Sequence, residues 1–305
     1  MQDGSKKAII AAFFANLGIA VAKFVGFLIT RSAGLLAEAA HSVADTGNQA
    51  LLLFGSKRGQ RPADRSHPFG YGPERYFWSF VVALVLFSMG GLFALYEGIQ
   101  KLWHPHEIES PIVAFVILGV AIALETFSLR TAVKEANHVR GSRGWWQFIR
   151  TAKSPELPVV LLEDIGAEAG LVVALFGLTM AEVTGQPRWD AVGSIAIGVL
   201  LVVIAIILAI EMKGLLIGEA ASDDDLASIR SAIESAPLVN GIIHVRTMHR
   251  GPDNLLVAVK VEYEHSLDVK SLAAAIDDTE ARIRGAVPTA DMVYIEPDIH
   301  RAAAE

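Results

Sequence analysis

Four stretches of this chain are apolar over roughly the thickness of a bilayer, and nothing else in the sequence narrows the possible folds so far. Ala8 to Thr30 is interrupted only by Lys23, and Tyr76 to Tyr96 carries no charge. Ile112 to Leu124 is apolar and continues through Glu125 to Leu129, and Ala191 to Ile210 carries no charge. A membrane-spanning helix needs about 20 predominantly apolar residues. Two further stretches, Ser32 to Gly55 and Val159 to Ala181, are long enough but carry charge. Six transmembrane helices are therefore expected. Composition agrees: 52% of the 305 residues are AVILMFWYC and only 19% are charged, against about 25% in a soluble domain. The first span follows a short polar start without a small-residue cleavage site or an Arg-rich leader, so it reads as a retained span rather than a signal or transit peptide.

Basic residues orient the spans. Lys6 and Lys7 precede span 1; Lys57, Arg58, Arg61, Arg65 and Arg75 lie between spans 2 and 3; Arg130, Lys134, Arg140, Arg143, Arg150 and Lys153 lie between spans 4 and 5. The other three loops offer Arg31, Lys101 and Arg188. Cytoplasmic loops carry the excess of Lys and Arg, so both termini are expected in the cytoplasm, and a bacterial-type inner membrane is the simplest location. Charge also divides the chain in two. From Leu215 onward there are 16 acids against 8 Lys or Arg, whereas the first 214 residues hold 17 against 18. Residues 1–214 are expected to form the membrane domain and 215–305 a soluble, acidic one. A net charge of −7 argues against general nucleic-acid binding. The absence of cysteine excludes disulfides, thiolate metal sites and cysteine nucleophiles.

Charged groups at mid-membrane are costly and mark function, and here they concentrate in two spans. Span 2 reads AEAAHSVADTGNQ, with Glu38, His41, Asp45 and Asn48; span 5 reads LLEDIGAEAG, with Glu163, Asp164 and Glu168. Neither span contains Lys or Arg, so a cation is expected among these acids: protons, a metal ion, or both. His41 and Asp45 are four residues apart, as are Asp164 and Glu168, so each pair shares a helix face about 40° wide. Two helices each offering such a pair can close four ligands around one ion. One imidazole with three carboxylates suits tetrahedral Zn²⁺, and Mn²⁺ or Fe²⁺ accepts the same donors. Glu163 points about 100° away from Asp164 and reads as a ligand, a group behind the ligands, a proton relay or a partner for a cytoplasmic-side cation. Glu38 reads as a relay or structural acid, Asn48 as a helix-packing hydrogen bond, and Lys23 and Glu125 as structural groups.

These residues resemble the cation diffusion facilitator family of zinc transporters. The loop RPADRSHPFGYGPERYFW carries the pattern Pro-x-Asp-x-x-His-x-Phe-Gly-x-Gly that follows span 2 in that family. HSVADTGNQ, SLRTAVKEAN, SPELPVVLLEDIGAEAG and GEAAS resemble the subgroup that includes mitochondrial-type zinc exporters. The resemblance covers nearly the whole chain and implies that His41 and Asp45 are span 2 ligands. The family's usual His-x-x-x-Asp of span 5 falls on Leu161 and Ile165, so the acids are displaced to Glu163, Asp164 and Glu168. A second family site in the loop after span 2 implies Asp64 and His67 as ligands, with Tyr71 in the third place. Tyrosine keeps its proton to about pH 10 and ligates zinc poorly. Asp64 equally reads as the cap of a structured turn shaped by Pro68, Gly70 and Gly72.

The C-terminal residues read as α-β-β-α-β. Asp223 to Ala236 forms a helix opened by SDDD, with Leu226, Ile229 and Ile233 on one face. Ile242 to His249 and Leu255 to Glu264 alternate as strands around the turn Gly251 to Asn254, Val269 to Arg284 forms a second helix, and Met292 to Glu296 a third strand. This is the order of a small ferredoxin-like domain. The resemblance implies that it dimerises the chain, and His249 and His265 are its candidate metal pair. No nucleophile motif, phosphate loop or organic-cofactor motif is present, so an enzyme is not expected. The expected function is proton-coupled efflux of a divalent cation through the bilayer, with Zn²⁺ as transported substrate and Mn²⁺, Fe²⁺ or Co²⁺ as alternatives. A metal-binding membrane sensor is the rival reading.

Overall fold

In an apolar surrounding a helix pairs its backbone donors and acceptors within itself, and the long uncharged runs form helices. The computed structural model describes residues 3–30, 33–104 and 111–300, without the side chains of 3–5, 30, 33–38, 40, 41 and 44. Arg31 and the side chains of Glu38 and His41 thus lie outside the described residues.

Four helical stretches are long and apolar enough to cross a membrane: Lys6–Ile29, Glu74–Trp103, Pro111–Arg140 and Arg188–Ile217. They correspond to expected spans 1, 3, 4 and 6. The first lies within α1 (Asp3–Thr30). The other two expected spans are α2 (Ala33–Gly59, 27 residues) and α7 (Glu156–Thr184, 29 residues), the two that carry the acids. The third span is not uniform. α3 (Glu74–Val85) continues through a π-helical stretch, Leu86–Leu92, into α4 (Phe93–Trp103). After α5 (Pro111–Arg140), the short α6 (Trp145–Thr151) precedes α7, and α8 (Arg188–Ile217) follows it. α7 stops at Gly185, which adopts the left-handed conformation with φ 65° that glycine takes without strain.

α1 packs against α2, α5 and α7; α5 packs on α7, and α3 on α2. α4 and α8 approach closely enough that a Cβ on Gly98 would stand 2.8 Å from the Ile195 nitrogen, and one on Gly198 2.8 Å from the Leu95 nitrogen. Small residues permit such approach, and van der Waals packing rather than hydrophobicity drives helix association in lipid.

The chain divides into two compact units, residues 1–60 with 74–213, and residues 61–73 with 214–305. The expected division after residue 214 therefore lies one residue earlier, and the loop after α2 groups with the C-terminal residues. The reason is a close backbone approach: a Cβ on Gly72 would collide with the Arg250 carbonyl oxygen, and the Arg250 guanidinium stands 5.7 Å from the Phe69 ring centroid.

The second unit has the expected element order, with bounds shifted by three residues or fewer: α9 (Asp223–Glu234), β1 (Val239–Gly251), β2 (Asn254–Tyr263), α10 (Val269–Ala286) and β3 (Met292–Pro297). β2 is central, antiparallel to β1 and parallel to β3. Leu255, Val257, Val259, Val261 and Tyr263 alternate along β2 into a core shared with Ile229, Ile233 and Ile283. Both helices start on side-chain caps. Ser222 accepts from the Asp225 amide at 3.1 Å, and Asp268 from the Ser271 amide at 2.8 Å. These bonds satisfy donors that a first helical turn leaves unpaired.

Candidate functional site

Residues 42–49 of α2 turn a polar stripe inward: Ser42, Asn48 and Gln49 are buried. α7 answers it with Glu163 and Asp164, 5% and 1% exposed. The two helices meet through an amide clamp. Asn48 Nδ2 donates to Glu163 Oε1 at 3.0 Å, and Gln49 Nε2 donates to Glu163 Oε2 at 2.8 Å. One carboxyl group with a donor on each oxygen is well satisfied, as a buried polar group must be.

The next acids along α7 turn towards α5. Ser128 Oγ donates to Asp164 Oδ2 at 2.7 Å, and Thr126 Oγ1 donates to Glu168 Oε1 at 3.0 Å. Glu168 Oε2 is buried with no hydrogen-bond partner. Asp164 and Glu168 do share a face, as their spacing requires, but it is the face that α5 covers.

α5 brings an acid of its own. Glu125 is 2% exposed, and Asp164, Glu163, Asp45 and Glu168 all lie near enough to act on it electrostatically. A cavity of about 190 Å³ opens inside the helical unit, lined by Asp45, Glu125 and Glu163 and also by Lys23 and Glu97. Sequence reasoning treated Glu125 and Lys23 as structural and did not single out Gln49. Glu125 had a signal, being the sole acid between Pro111 and Leu129.

The structure thus gathers Asp45, Glu163 and Glu125 around one cavity and places Asp164 and Glu168 beside Ser128 and Thr126. His41 belongs to α2, but its side chain lies outside the described residues. Among the described residues no group of three or more His, Asp or Glu side chains stands in an arrangement that could hold a metal ion. Clustered carboxylates in a low-dielectric surrounding call for cations to balance them, and a cavity is the place where a mobile cation could do so.

At the first residue of α7 lies a buried ion pair. Arg75 Nε meets Glu156 Oε1 at 2.5 Å, with side-chain exposures of 3% and 1%. It ties the start of α3 to the start of α7.

The loop after α2 is organised by Asp64. Its Oδ1 accepts from the amides of Ser66 and His67 at 2.9 and 2.8 Å, and Tyr71 donates its hydroxyl to Oδ2 at 2.7 Å. The Tyr71 hydroxyl, followed by these turn amides, holds the Asp64 carboxyl below its ordinary range. His67 Nδ1 lies 3.7 Å from Asp64 Oδ1, and its ring stacks 4.3 Å from Tyr71. Asp64 and His67 are thus together, with both carboxylate oxygens engaged in the turn.

His249 and His265 do not meet. His249 pairs with Leu255 at the start of β2, while His265 follows the end of that strand and bonds Glu262 at 3.1 Å. Ten residues of extended strand separate them by about 30 Å. An antiparallel pair places the end of β1 beside the start of β2, which is what the expectation overlooked.

Residues 9–217 match the cation efflux transmembrane domain family. The chain is 32% identical over 272 residues to the mitochondrial proton-coupled zinc antiporter SLC30A9 of Xenopus laevis, covering 88% of this chain and 49% of that protein. It is 29% identical to metal tolerance protein C4 of Arabidopsis thaliana, covering 88% of this chain and 59% of the relative. With magnetosome protein MamB of a Magnetospira strain it shares 28% identity, over 79% of this chain and 78% of the relative. The chain spans about half the length of the first two of these relatives.

Proposed function

Since the chain belongs to the cation efflux family, we propose that it is a multi-pass membrane transporter that exports a divalent metal cation, with Zn²⁺ as cargo, in exchange for protons. The observation that carries this reading is the cavity bounded by Asp45, Glu125 and Glu163 from three different helices. Carboxylates of this kind bind a divalent ion or protons, not both, because ligands take up metal only when deprotonated. A shared cavity therefore couples the two cations: protons arriving from one side release the metal, and loss of protons on the other side lets it bind again.

Within this reading Asp45 ligates the cargo, together with His41 on the strength of the family motif. Asp164 and Glu168 belong to the same acid group, and Ser128 and Thr126 of α5 hydrogen-bond to them. Glu163 braces α2 against α7 through Asn48 and Gln49. The loop residues Asp64 and His67 serve the turn first, and a second metal site there would have to displace Tyr71. The zinc antiporter among the relatives favours Zn²⁺ over Mn²⁺, Fe²⁺ or Co²⁺. The Lys and Arg bias of the loops favours cytoplasmic termini in a bacterial-type inner membrane. The resemblance also favours a homodimer formed through the C-terminal unit, a transporter rather than an enzyme, and no organic cofactor or nucleic acid.

The test is metal flux into proteoliposomes under an imposed pH gradient, for the intact protein and for Asp45→Ala, with Zn²⁺, Mn²⁺, Fe²⁺ and Co²⁺. Gradient-dependent Zn²⁺ flux that disappears in Asp45→Ala is the expected result. Stoichiometric binding without flux for every metal would overturn the reading in favour of a sensor.

A further inference from the structure

Lys23 is a buried charge of the helical unit to which the transport reading gives no part. It lies on α1, 17 residues or about 25 Å from Lys6 and six residues or about 9 Å from Ile29. Lysines near span ends reach back to the interface, but Lys23 is only 8% exposed and lines the same cavity as Asp45, Glu97, Glu125 and Glu163. These acids come to that cavity from α2, α4, α5 and α7, while Glu97 also pairs with Lys101 at 3.0 Å.

We infer that Lys23 is a tethered counter-cation that competes with the cargo for the acid-lined cavity. The inference rests on the transport reading for the identity of that cargo, and on geometry for the competition. Buried carboxylates without cargo need positive charge nearby, and a lysine anchored to α1 supplies it without diffusing away. A covalently tethered group acts at a high effective concentration. A divalent ion entering the cavity meets the ammonium as a like charge, so the ammonium must yield its acids to the ion. Lys23 thereby weakens binding of the metal and favours its release, which a carrier needs as much as it needs capture. It also leaves the emptied cavity less attractive to monovalent ions.

The direction of the effect separates this role from a structural one. Damage to packing weakens metal binding, whereas removal of a competitor tightens it. The experiment is Zn²⁺ titration calorimetry on the full-length protein in detergent, comparing wild type, Lys23→Gln and Lys23→Arg, with gradient-driven Zn²⁺ flux in proteoliposomes measured on the same preparations. Lys23→Gln is expected to bind Zn²⁺ at least about tenfold more tightly, about 1.4 kcal/mol, and to turn over more slowly. Lys23→Arg keeps the charge and is expected to stay within about threefold of wild type. If Lys23→Gln is not monodisperse, Lys23→Met carries the comparison. Unchanged or weaker binding in the neutral variant would overturn the inference. Absence of flux from wild type would instead overturn the transport reading, and tighter binding in Lys23→Gln would still support the competition.

Discussion

Gln49 and Glu163 lie 114 residues apart in sequence and are joined by a 2.8 Å hydrogen bond inside the helical unit. With Asn48 donating to the other oxygen, the Glu163 carboxylate becomes the fastening between α2, which carries Asp45, and α7, which carries Asp164. A movement of one helix relative to the other has to break or carry along two buried hydrogen bonds. Glu163 therefore governs how the site is held.

Glu163→Gln turns one accepting oxygen into a donating amide and leaves a buried N–H without a partner. A buried polar group left unpaired costs about 1–3 kcal/mol, so the thermal midpoint of the detergent-solubilised protein should fall. Transport should persist at a reduced rate. Asp164→Asn, in contrast, removes a carboxylate of the acid group itself and should cut Zn²⁺ flux at least about tenfold, close to the loss in Asp45→Ala. Equal flux in Asp164→Asn and wild type would exclude Asp164 from the transport site.

The buried pair Arg75–Glu156 should show the asymmetry of such pairs. Replacing one partner takes the opposite charge away from a buried ion, which costs about 3–5 kcal/mol, while replacing both with apolar residues of similar size is nearly neutral. Arg75→Met and Glu156→Leu should each destabilise strongly, and the double variant should recover most of the loss in thermal melts. A double variant no better than the sum of the single ones would show that the two residues act independently.

Much of this was legible in sequence where one physical preference acts alone. β2 alternates because only one of its faces reaches the core, and the sequence pattern from Leu255 to Tyr263 reads directly as the observed burial. The start of α9 is equally plain, since SDDD offers acceptors to the first amides of the helix. The site was legible only in part. Glu163 carried the signal of a charged group in an apolar span, but its clamp depends on Gln49, a neutral residue whose partner is set by how α2 and α7 pack. Glu125 looks the same in sequence whether it lines a cavity or pairs within the interior. The π-helical stretch Leu86–Leu92 is a shift of backbone hydrogen bonds, marked in sequence only by Gly90 and Gly91. The grouping of residues 61–73 with the C-terminal unit arises from the contact of Gly72 with Arg250, and no local pattern encodes a contact between residues so far apart.

The Asp64 turn should respond to acid. Its carboxyl lies below the ordinary value of about 3.9 because of Tyr71 and the turn amides. A depressed value means that the turn is stabilised above that ordinary pH and loses this support as pH falls through the folded value. Tyr71→Phe removes the largest cause, so the folded value moves up and the turn loosens at higher pH. Proton exchange of the Ser66 and His67 amides, followed between pH 5 and 3 in the full-length protein, reports this directly. Identical profiles for wild type and Tyr71→Phe would show that the hydroxyl does not hold Asp64.

Gly72 makes the most exacting demand of the loop. A side chain there would meet the Arg250 carbonyl oxygen and lie 3.1 Å from the Gly251 Cα. Backbone atoms at the end of a paired strand cannot yield as the tip of a flexible side chain can. Gly72→Val should therefore lift the loop from the hairpin end and release the Arg250 guanidinium from the Phe69 ring. The lifted loop keeps Asp64, His67 and Tyr71 together, since the contacts among these three lie within residues 61–73. Trypsin cleavage after Arg65 should accelerate about tenfold in Gly72→Val, as expected when local opening becomes easier by about 1.4 kcal/mol. A cleavage rate equal to that of wild type would mean that the approach of Gly72 to Arg250 contributes nothing to holding the loop.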